Sequence, residues 1–490
     1  MVGPRVSLKK GAFLGLRNHL VVVCAALVMV VLYLLPLPQP LASPQGLVQL
    51  TVAGKGSLAV LAFVIILWIT EALPFPVTAL LGLLLAYAFR LAPFGEIVSR
   101  GFGNSIVVFF IGVLALSAGL TRSGLADRLT AAIIRRIGPQ PRKIIFAFMA
   151  LGAFLSMWIV NMSVAAILLP MATAILKRTG RRPGESNFGR ALMIALAWGP
   201  AIGGIATPVG NGANIVALSY LRELAGIPIN FVTWMVVGIP AALLILPPAY
   251  LILVRVFPPE EIVLERGGAA LKTGAVPARL TGAERKALSI FLLAVFFWLG
   301  DPLLATFTGI SIPLEAVALG AAVALFLPGI NLITWKEAQS DIDWGGIVLI
   351  AAGLSLGMLV FETGAARWLA LLLFSPIGGL AMALRIFLAV LIVEFLKVFF
   401  SSNTATGVIL IPMVIALAVS LELNPWYLAG PVAIATSLAF ILVTSSPTNV
   451  IPYAAGYFSI RDFALPGIIL TLVIPFCITA AFIVFGPLLW

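Results

Sequence analysis

The sequence contains little charge. Of its 490 residues, only 10% are Asp, Glu, Lys or Arg, whereas 62% are hydrophobic. A soluble domain covers its core with roughly 25% charged residues, so this composition excludes a soluble globular protein of this length. Long apolar runs take the place of a charged surface. The composition therefore predicts a polytopic membrane protein.

Histidine and cysteine are almost absent. Cys24 and Cys477 lie in apolar runs at opposite ends of the chain, which leaves no disulfide framework and no CxxC metal motif. The single histidine, His19, precedes the first apolar run. With a single histidine the sequence has no HExxH motif, and it has no clustered carboxylates at membrane depth. These absences argue against an intramembrane enzyme, and no catalytic residue is expected.

The excess of basic residues is a topology signal. The net charge is +12, but Lys and Arg lie in short connections between apolar runs and form no stripe along one face. With the N-terminus in the cytoplasm, most of the 30 basic residues fall on the cytoplasmic side, in keeping with the positive-inside rule. The sequence thus predicts a multi-pass protein of the plasma (inner) membrane. Its N-terminus would be cytoplasmic and its C-terminus outside, with the lipid bilayer and not nucleic acid as its partner.

Two stretches, 143–178 and 384–420, are apolar but interrupted in the middle by polar residues. One straight helix of that length, at about 1.5 Å per residue, would overshoot the bilayer. Each stretch is therefore predicted to be a re-entrant hairpin of two helices, with a polar tip buried in protein. The remaining long apolar runs predict an all-α protein with about 11 transmembrane helices, at 19–37, 57–73, 76–93, 105–121, 190–220, 228–257, 287–308, 312–329, 346–362, 426–448 and 465–489.

The two halves of the sequence resemble each other. Residues 107–129 align without gaps on residues 347–369, and in both copies a span ends at a small-residue turn, Gly124 or Gly364, before a short arm and a hairpin. An odd number of predicted crossings separates the copies, so they take opposite orientations. Inverted repeats with interrupted helices in matching positions are typical of a secondary transporter whose site lies near the membrane midplane.

Each hairpin is followed by a span that Gly, Pro, Ser and Asn residues break, at 206–214 in the first half and 444–449 in the second. Such breaks free backbone carbonyl oxygens that can bind a hard cation, while helix N-termini offer N–H groups to an anion. A single break of this kind is usually a kink. Two breaks paired with two hairpin tips predict a site for a small anion with cation sites beside it.

These motifs resemble those of the divalent anion/sodium symporters, a family that carries dicarboxylates, citrate or sulfate. The resemblance extends from about residue 57 to the end, and its most specific parts are WITEALP at 68–74, GGIATP at 203–208 and Ser-Asn-Thr at 402–404. In that family each hairpin tip carries Ser-Asn-Thr, and each broken span carries a Thr-Pro-Pro-Asn-like run. The resemblance implies two sodium sites flanking one substrate site, in a homodimer that works as an elevator.

The resemblance also implies which residues form these sites. The anionic substrate would contact Asn161, Asn211, Asn403, Thr404 and Pro447. One or two sodium ions would bind oxygen atoms of Ser156, Asn161, Gly210, Ser402, Asn403 and Ser446.

The sequence departs from the family pattern at both tips. The first tip reads Val160-Asn161-Met162, which keeps the Asn and loses both hydroxyls. Lys397 lies just before the second tip, and an ammonium at membrane depth costs about 2.5 kcal/mol or more, so it is functional by default. Two interpretations remain open. Lys397 is either a built-in cation in place of a bound sodium, or the partner of Glu394 in an ion pair three residues apart.

The leading hypothesis is a secondary active transporter that moves a small anion by an elevator mechanism, with a C4-dicarboxylate favoured and sulfate possible. Sodium coupling through the second hairpin is expected; a sodium-independent exchanger or a proton-linked carrier that uses Lys397 is the alternative. An anion channel is less favoured, because a pore would need rings of basic side chains. The predicted organisation is a cytoplasmic N-terminal tail (1–18), N-terminal scaffold helices (19–104), a first inverted repeat (105–225), a scaffold helix (226–257), a cytoplasmic linker (258–286), scaffold helices (287–345), a second inverted repeat (346–464) and a C-terminal helix (465–490).

Overall fold

The computed structural model describes residues 4–43, 46–136, 140–261, 279–374 and 379–489. Across these residues the chain forms 21 α-helices and one short antiparallel strand pair. Helix α1 (Pro4–Leu34) and strands β1 (Leu41–Ser43) and β2 (Gly46–Val48) come first. Ten helices follow: α2 (Val52–Thr70), α3 (Phe75–Ala88), α4 (Phe94–Phe102), α5 (Ser105–Arg122), α6 (Leu125–Arg136), α7 (Pro141–Ser156), α8 (Asn161–Arg178), α9 (Asn187–Gly203), α10 (Gly212–Ala225) and α11 (Phe231–Val256). The remaining ten are α12 (Gly282–Thr308), α13 (Leu314–Ala324), α14 (Trp335–Asp341), α15 (Trp344–Glu362), α16 (Ala365–Phe374), α17 (Met382–Leu396), α18 (Asn403–Ser420), α19 (Trp426–Thr436), α20 (Pro447–Tyr453) and α21 (Ile460–Phe485).

The two sets of ten helices, α2–α11 and α12–α21, correspond to each other in order. This correspondence covers more of the chain than the predicted repeats at 105–225 and 346–464. Helix α5 packs on α13, and its counterpart α15 packs on α3; likewise α10 packs on α18, and α20 packs on α8. Such an exchange of partners is what a two-fold relation between the repeats would produce. Gly124 and Gly364, with φ of 79° and 78°, make the same left-handed turn into α6 and α16. The aligned residues 107–129 and 347–369 lie at corresponding places in this helix order.

Matching ion pairs join the repeats with their charges reversed. At the end of α5, Arg122 binds Asp341 of α14, with 3.0 Å between Nη2 and Oδ1. At the matching end of α15, Glu362 binds Arg100 of α4. Equivalent positions thus hold a cation in one repeat and an anion in the other.

Both interrupted stretches form two helices, as predicted. The first tip (157–160) separates α7 from α8, and the second tip (397–402) separates α17 from α18. A 3₁₀ turn at Lys397–Phe399 tightens the end of α17, and the Ser402 side chain then caps α18 by accepting a hydrogen bond from the backbone N–H of Ala405 at 3.3 Å.

The predicted spans 190–220 and 426–448 are not continuous helices. The first break (204–211) separates α9 from α10, and the second break (437–446) separates α19 from α20. Their Gly, Pro and Ser residues release the backbone from the helix, as the sequence indicated. In the described chain, eight helices are long and apolar enough to cross a membrane, with α3 and α13 shorter. One of the eight is the hairpin helix α18, so the number of crossings stays a prediction.

Other boundaries need correction. The predicted N-terminal tail (1–18) is helical from Pro4, because no further proline interrupts α1. The strand pair at 41–48 was not predicted. Most of the predicted linker (258–286) lies outside the described residues.

The packing divides the helices into two groups. The hairpin unit comprises α7–α11 and α17–α21, and the outer unit comprises α1–α5 and α12–α15; the units meet where α15 packs against α18 and α10. Helix α11 packs along α21 and against α7 and α9. The prediction of 226–257 as a scaffold helix is therefore wrong, because α11 packs with the hairpin helices. An apolar helix of this length carries no sequence signal for the group of helices that it joins.

Helices α7 and α9 pack backbone to backbone through glycine. A Cβ added at Gly203 would overlap the Ala153 carbonyl group, with no flexible side chain to yield. We expect Gly203→Ala to destabilise the protein by about 1–3 kcal/mol through overpacking, read as a lower melting temperature in detergent. Gly320→Ala in α13 is the matched control, since nothing lies within 4 Å of its added Cβ. Equal melting temperatures for the two variants would contradict the close packing.

The carboxylate of Glu260 closes the N-terminus of α9. It accepts hydrogen bonds from the backbone N–H groups of Asn187 at 2.6 Å and Phe188 at 2.9 Å, and from the Ser186 hydroxyl at 3.1 Å. Burial raises the pKa of Glu260, but these donors outweigh burial and hold the pKa below the usual 4.5.

The lowered pKa of Glu260 gives stability that is complete above pH 4.5 and is lost as the pH falls through the folded-state value. We expect Glu260→Gln to lower the melting temperature at neutral pH and to flatten its decline below about pH 4.5. Melting curves recorded from pH 3 to pH 7 would test this. A variant that declines as steeply as the parent would show that Glu260 contributes nothing to the acid sensitivity.

Candidate functional site

Each hairpin tip packs against the break that follows it in the same repeat. At the first tip, the Thr207 hydroxyl donates to the Met157 carbonyl oxygen. A Cβ added at Gly210 would overlap the carbonyl oxygens of Gly204 and Ser156, so glycine is required for this close approach. The first tip and the first break therefore place several backbone oxygens within a small buried volume.

The Asn161 carboxamide lies in the middle of these oxygens. Its neighbours are the Ser156 hydroxyl and the carbonyl oxygens of Gly210 and Pro200. In one orientation Nδ2 faces them and donates to Gly210 at 2.9 Å and to Pro200 at 3.2 Å. In the other orientation Oδ1 faces them, and four neutral oxygens converge. Neutral hydroxyl, amide and carbonyl oxygens are ligands that suit a hard cation such as sodium.

The second tip holds a buried ammonium group in the corresponding place. Lys397 is 2% exposed, and its Nζ donates to the carbonyl oxygen of Ser445 in the second break at 3.2 Å. Counted from the starts of α7 and α17, Lys397 takes the position of Ser156. Counted from the starts of α10 and α20, Ser445 takes the position of Gly210. The ammonium thus points at the backbone oxygen equivalent to one that faces Asn161.

Glu394 does not pair directly with Lys397. Among the described residues, no oxygen of Glu394 lies within 4.0 Å of the ammonium, and Oε1 has no hydrogen-bond partner although the residue is 2% exposed. The expectation of an ion pair at this spacing is therefore wrong. The Ser445 carbonyl oxygen, contributed by another element, is the hydrogen-bond acceptor of the ammonium.

The N-terminus of α10 in the first repeat contacts the N-terminus of α18 in the second repeat. A Cβ added at Gly212, the first residue of α10, would lie 2.6 Å from the hydroxyl oxygen of Thr404 in α18. Asn211 caps α10 by accepting from the backbone N–H of Ala213 at 3.1 Å. Two helix N-termini at one place provide backbone N–H groups and positive dipole ends for an anion.

The structure brings most of the predicted site residues into two clusters. Ser156, Asn161 and Gly210 form the oxygen cluster at the first tip, and Asn211 lies one residue before the Gly212–Thr404 contact. The Nδ2 of Asn403 donates to the Ser437 carbonyl oxygen at 3.1 Å, while its Oδ1 has no partner in the described part of the chain. Three predicted site residues lie outside both clusters. The Ser402 hydroxyl caps its own helix. Ser446 is buried at the end of the second break, and Pro447 is exposed at the start of α20.

Two buried asparagines that lie within the predicted breaks, and that are not among the predicted site residues, fix the breaks. Asn214 Nδ2 donates to the carbonyl oxygens of Gly204 and Thr207, both at 2.8 Å. In the other repeat, Asn449 Nδ2 donates to the Ala439 carbonyl oxygen at 2.8 Å, also ten residues back. The signal was an Asn at the third position of both α10 and α20.

Comparison with known proteins decides the family. A family model described as citrate transporter matches residues 65–406 and 304–490 of the chain. The chain belongs to the citrate transporter family. This membership confirms the resemblance to the divalent anion/sodium symporters, and it identifies a multi-pass membrane transporter rather than an enzyme.

Relatives of this citrate transporter family member cover most of the chain. The sodium-dependent dicarboxylate transporter SdcS of Staphylococcus saprophyticus is 31% identical over 432 residues, which is 84% of this chain and 82% of the relative. SdcS of Staphylococcus aureus is 29% identical over 429 residues, with the same coverage. The YdaH transporter of Alcanivorax borkumensis shares the fold, with a TM-score of 0.53, 16% identity, and coverage of 80% of this chain and 88% of that chain.

Proposed function

We propose that the protein is a sodium-coupled secondary active carrier of a C4-dicarboxylate such as succinate. The meeting of the α10 and α18 N-termini at Gly212 and Thr404 is the observation that carries this proposal. Backbone N–H groups, the Thr404 hydroxyl and the Asn211 amide would bind the carboxylates, since neither tip contains an arginine. Relatives with the printed name sodium-dependent dicarboxylate transporter support this substrate class.

The coupling sodium would bind at the first tip, not at the second. When Oδ1 of Asn161 faces the cluster, the oxygens of Ser156, Asn161 and Gly210 converge there without any charged side chain. At the second tip, Lys397 already supplies a positive charge to the backbone carbonyl of Ser445. One sodium ion and one ammonium together would offset the two negative charges of a dicarboxylate. This assignment revises the expectation that coupling runs through Ser402, Asn403 and Ser446.

The hairpin unit would move as an elevator against the outer unit. Contacts of α10 with the outer unit would have to break in that motion. The Tyr220 hydroxyl donates to the Gly353 carbonyl oxygen of α15 at 2.9 Å, and the Arg222 guanidinium binds Glu315 of α13 at 2.8 Å. We also propose the orientation given by the positive-inside rule, with a cytoplasmic N-terminus and an outside C-terminus in the plasma membrane, and a homodimer.

A second candidate function is sodium-independent exchange, or proton-linked transport, of the same anion. The contact between the Lys397 ammonium and the Ser445 carbonyl oxygen favours it, because a fixed cation at one tip lowers the need for bound sodium. In this reading the carrier would return only with anion bound, or with a proton taken up in place of sodium.

Uptake by purified protein in proteoliposomes separates these functions. We expect saturable uptake of radiolabelled succinate under an inward sodium gradient and little uptake when potassium replaces sodium on both sides. Equal uptake in potassium, stimulated by unlabelled succinate inside, would favour the exchanger. An inward proton gradient that drives uptake without sodium would favour proton coupling. Unlabelled sulfate lowers the uptake of radiolabelled succinate if it binds the same site. Flux that rises linearly with concentration would contradict a carrier.

A further inference from the structure

A chain of hydrogen bonds crosses from the second tip to the first break. Asn403 Nδ2 donates to the Ser437 carbonyl oxygen at 3.1 Å, and the Ser437 hydroxyl donates to Asn214 Oδ1 at 3.1 Å. Asn214 Nδ2 then donates to the carbonyl oxygens of Gly204 and Thr207 at 2.8 Å. Ser437 and Asn214 are fully buried. The bond between Ser437 and Asn214 therefore lies in protein that excludes water, where hydrogen bonds are strong.

Ser437 connects the two repeats in this series of hydrogen bonds. Its carbonyl oxygen holds the side chain of Asn403 at the second tip, and its hydroxyl holds the side chain of Asn214 in the other repeat. Gly204, which accepts from Asn214, has a carbonyl oxygen against Gly210 and has the Asn161 carboxamide on its other side. One residue thus connects the tip that bears Thr404 to the oxygen cluster of the first tip.

The repeats do not share this link. Asn449 occupies the position of Asn214 and makes the matching bond to Ala439, but its Oδ1 has no partner in the described chain. Counted back from the starts of α10 and α20, the residue equivalent to Ser437 is Ile202, which carries no donor. Symmetry of the fold therefore does not require the Ser437 hydroxyl bond. The bond adds a connection from the second repeat to the break that borders the oxygen cluster.

We propose that Ser437 is a positioning residue that couples sodium binding at the first tip to substrate binding at the second tip. The proposal rests on the proposed function, since it needs a sodium ion at Ser156, Asn161 and Gly210. A cation that orders the Gly204 and Gly210 backbone fixes Asn214, and Asn214 fixes Ser437 and the Asn403 side chain. Neither Ser437 nor Asn214 has to touch the sodium or the substrate for this coupling.

The test measures coupling, not activity. Titrations of purified protein with succinate, in sodium chloride and in choline chloride, give the factor by which sodium raises succinate affinity, and linkage requires the same factor for sodium affinity with and without succinate. Ser437→Ala removes the hydroxyl and keeps the carbonyl oxygen that Asn403 uses. We expect the coupling factor to fall about ten-fold, which corresponds to roughly 1.4 kcal/mol. Ser437→Thr, which keeps the hydroxyl, is expected to restore most of it.

A matched control lies one residue earlier. Thr436 is equally buried, but its hydroxyl donates to Ala433 in its own helix at 2.7 Å. Thr436→Val should leave the coupling factor unchanged even if it lowers the melting temperature. A Ser437→Ala protein that binds sodium and succinate with the parental coupling factor would overturn the inference. Absence of any sodium effect in the parent protein would instead overturn the proposed sodium coupling, so the two failures are distinguishable.

Discussion

Replacing Lys397 by serine is expected to change the dependence of succinate uptake on sodium from hyperbolic to sigmoidal. Serine is the residue at the equivalent position in the first repeat, Ser156, where its hydroxyl borders the oxygen cluster. Without the ammonium, the Ser445 carbonyl oxygen loses its donor, and a second sodium ion would have to supply the missing charge. Uptake measured over a range of external sodium concentrations gives the Hill coefficient, expected near one in the parent and above one in Lys397→Ser.

Lys397→Gln is the matched variant for this prediction. A glutamine keeps a donor for the Ser445 carbonyl oxygen but carries no charge and adds no hydroxyl. We expect it to weaken succinate affinity about ten-fold or more, because a charged hydrogen-bonding group is lost, without raising the Hill coefficient. Parental succinate affinity in both variants would show that the ammonium takes no part in charge balance.

Asn161→Ala is expected to raise the sodium concentration for half-maximal uptake by about ten-fold or more. The substitution removes the whole carboxamide around which Ser156, Gly210 and Pro200 converge. It takes away the oxygen proposed to bind sodium, and also the Nδ2 group that donates to the Gly210 and Pro200 carbonyl oxygens in the other orientation. Sodium titrations of uptake at saturating succinate measure the effect.

Asn230→Ala makes the same side-chain change outside the site. Asn230 caps α11 by accepting from the backbone N–H of Thr233 at 2.8 Å, so the control should cost about 0.5–2 kcal/mol of stability and leave the sodium titration unchanged. Equal shifts in the two variants would mean that the Asn161 effect is one of folding. An unshifted sodium titration in Asn161→Ala would show that sodium does not bind at the first tip.

The features that the sequence predicted well are those that stand out locally. Polar residues inside apolar runs marked both hairpin tips, and Gly, Pro and Asn marked both breaks. The same signals singled out Asn161, Asn403 and Thr404, because a polar group placed in an apolar stretch is costly unless the fold uses it.

The features that the sequence missed depend on contacts between distant segments. The spacing of Glu394 and Lys397 left an ion pair open as one of two interpretations, but the ammonium binds Ser445, 48 residues later in the chain. The role of Ser437 arises from Asn214 in the other repeat, and nothing in the apolar run 228–257 indicates that α11 packs with the hairpins. Tertiary packing decides such contacts, and spacing along one helix does not reveal them.

The number of sodium ions carried with each substrate tests the central claim most directly. Parallel measurement of radiolabelled sodium and radiolabelled succinate entering the same proteoliposomes gives this ratio. A single sodium site at Ser156, Asn161 and Gly210, with Lys397 as the fixed cation at the second tip, predicts one sodium ion per succinate. A ratio of two or more would mean that the second tip also binds sodium, and a ratio of zero would mean that the carrier does not couple to sodium at all.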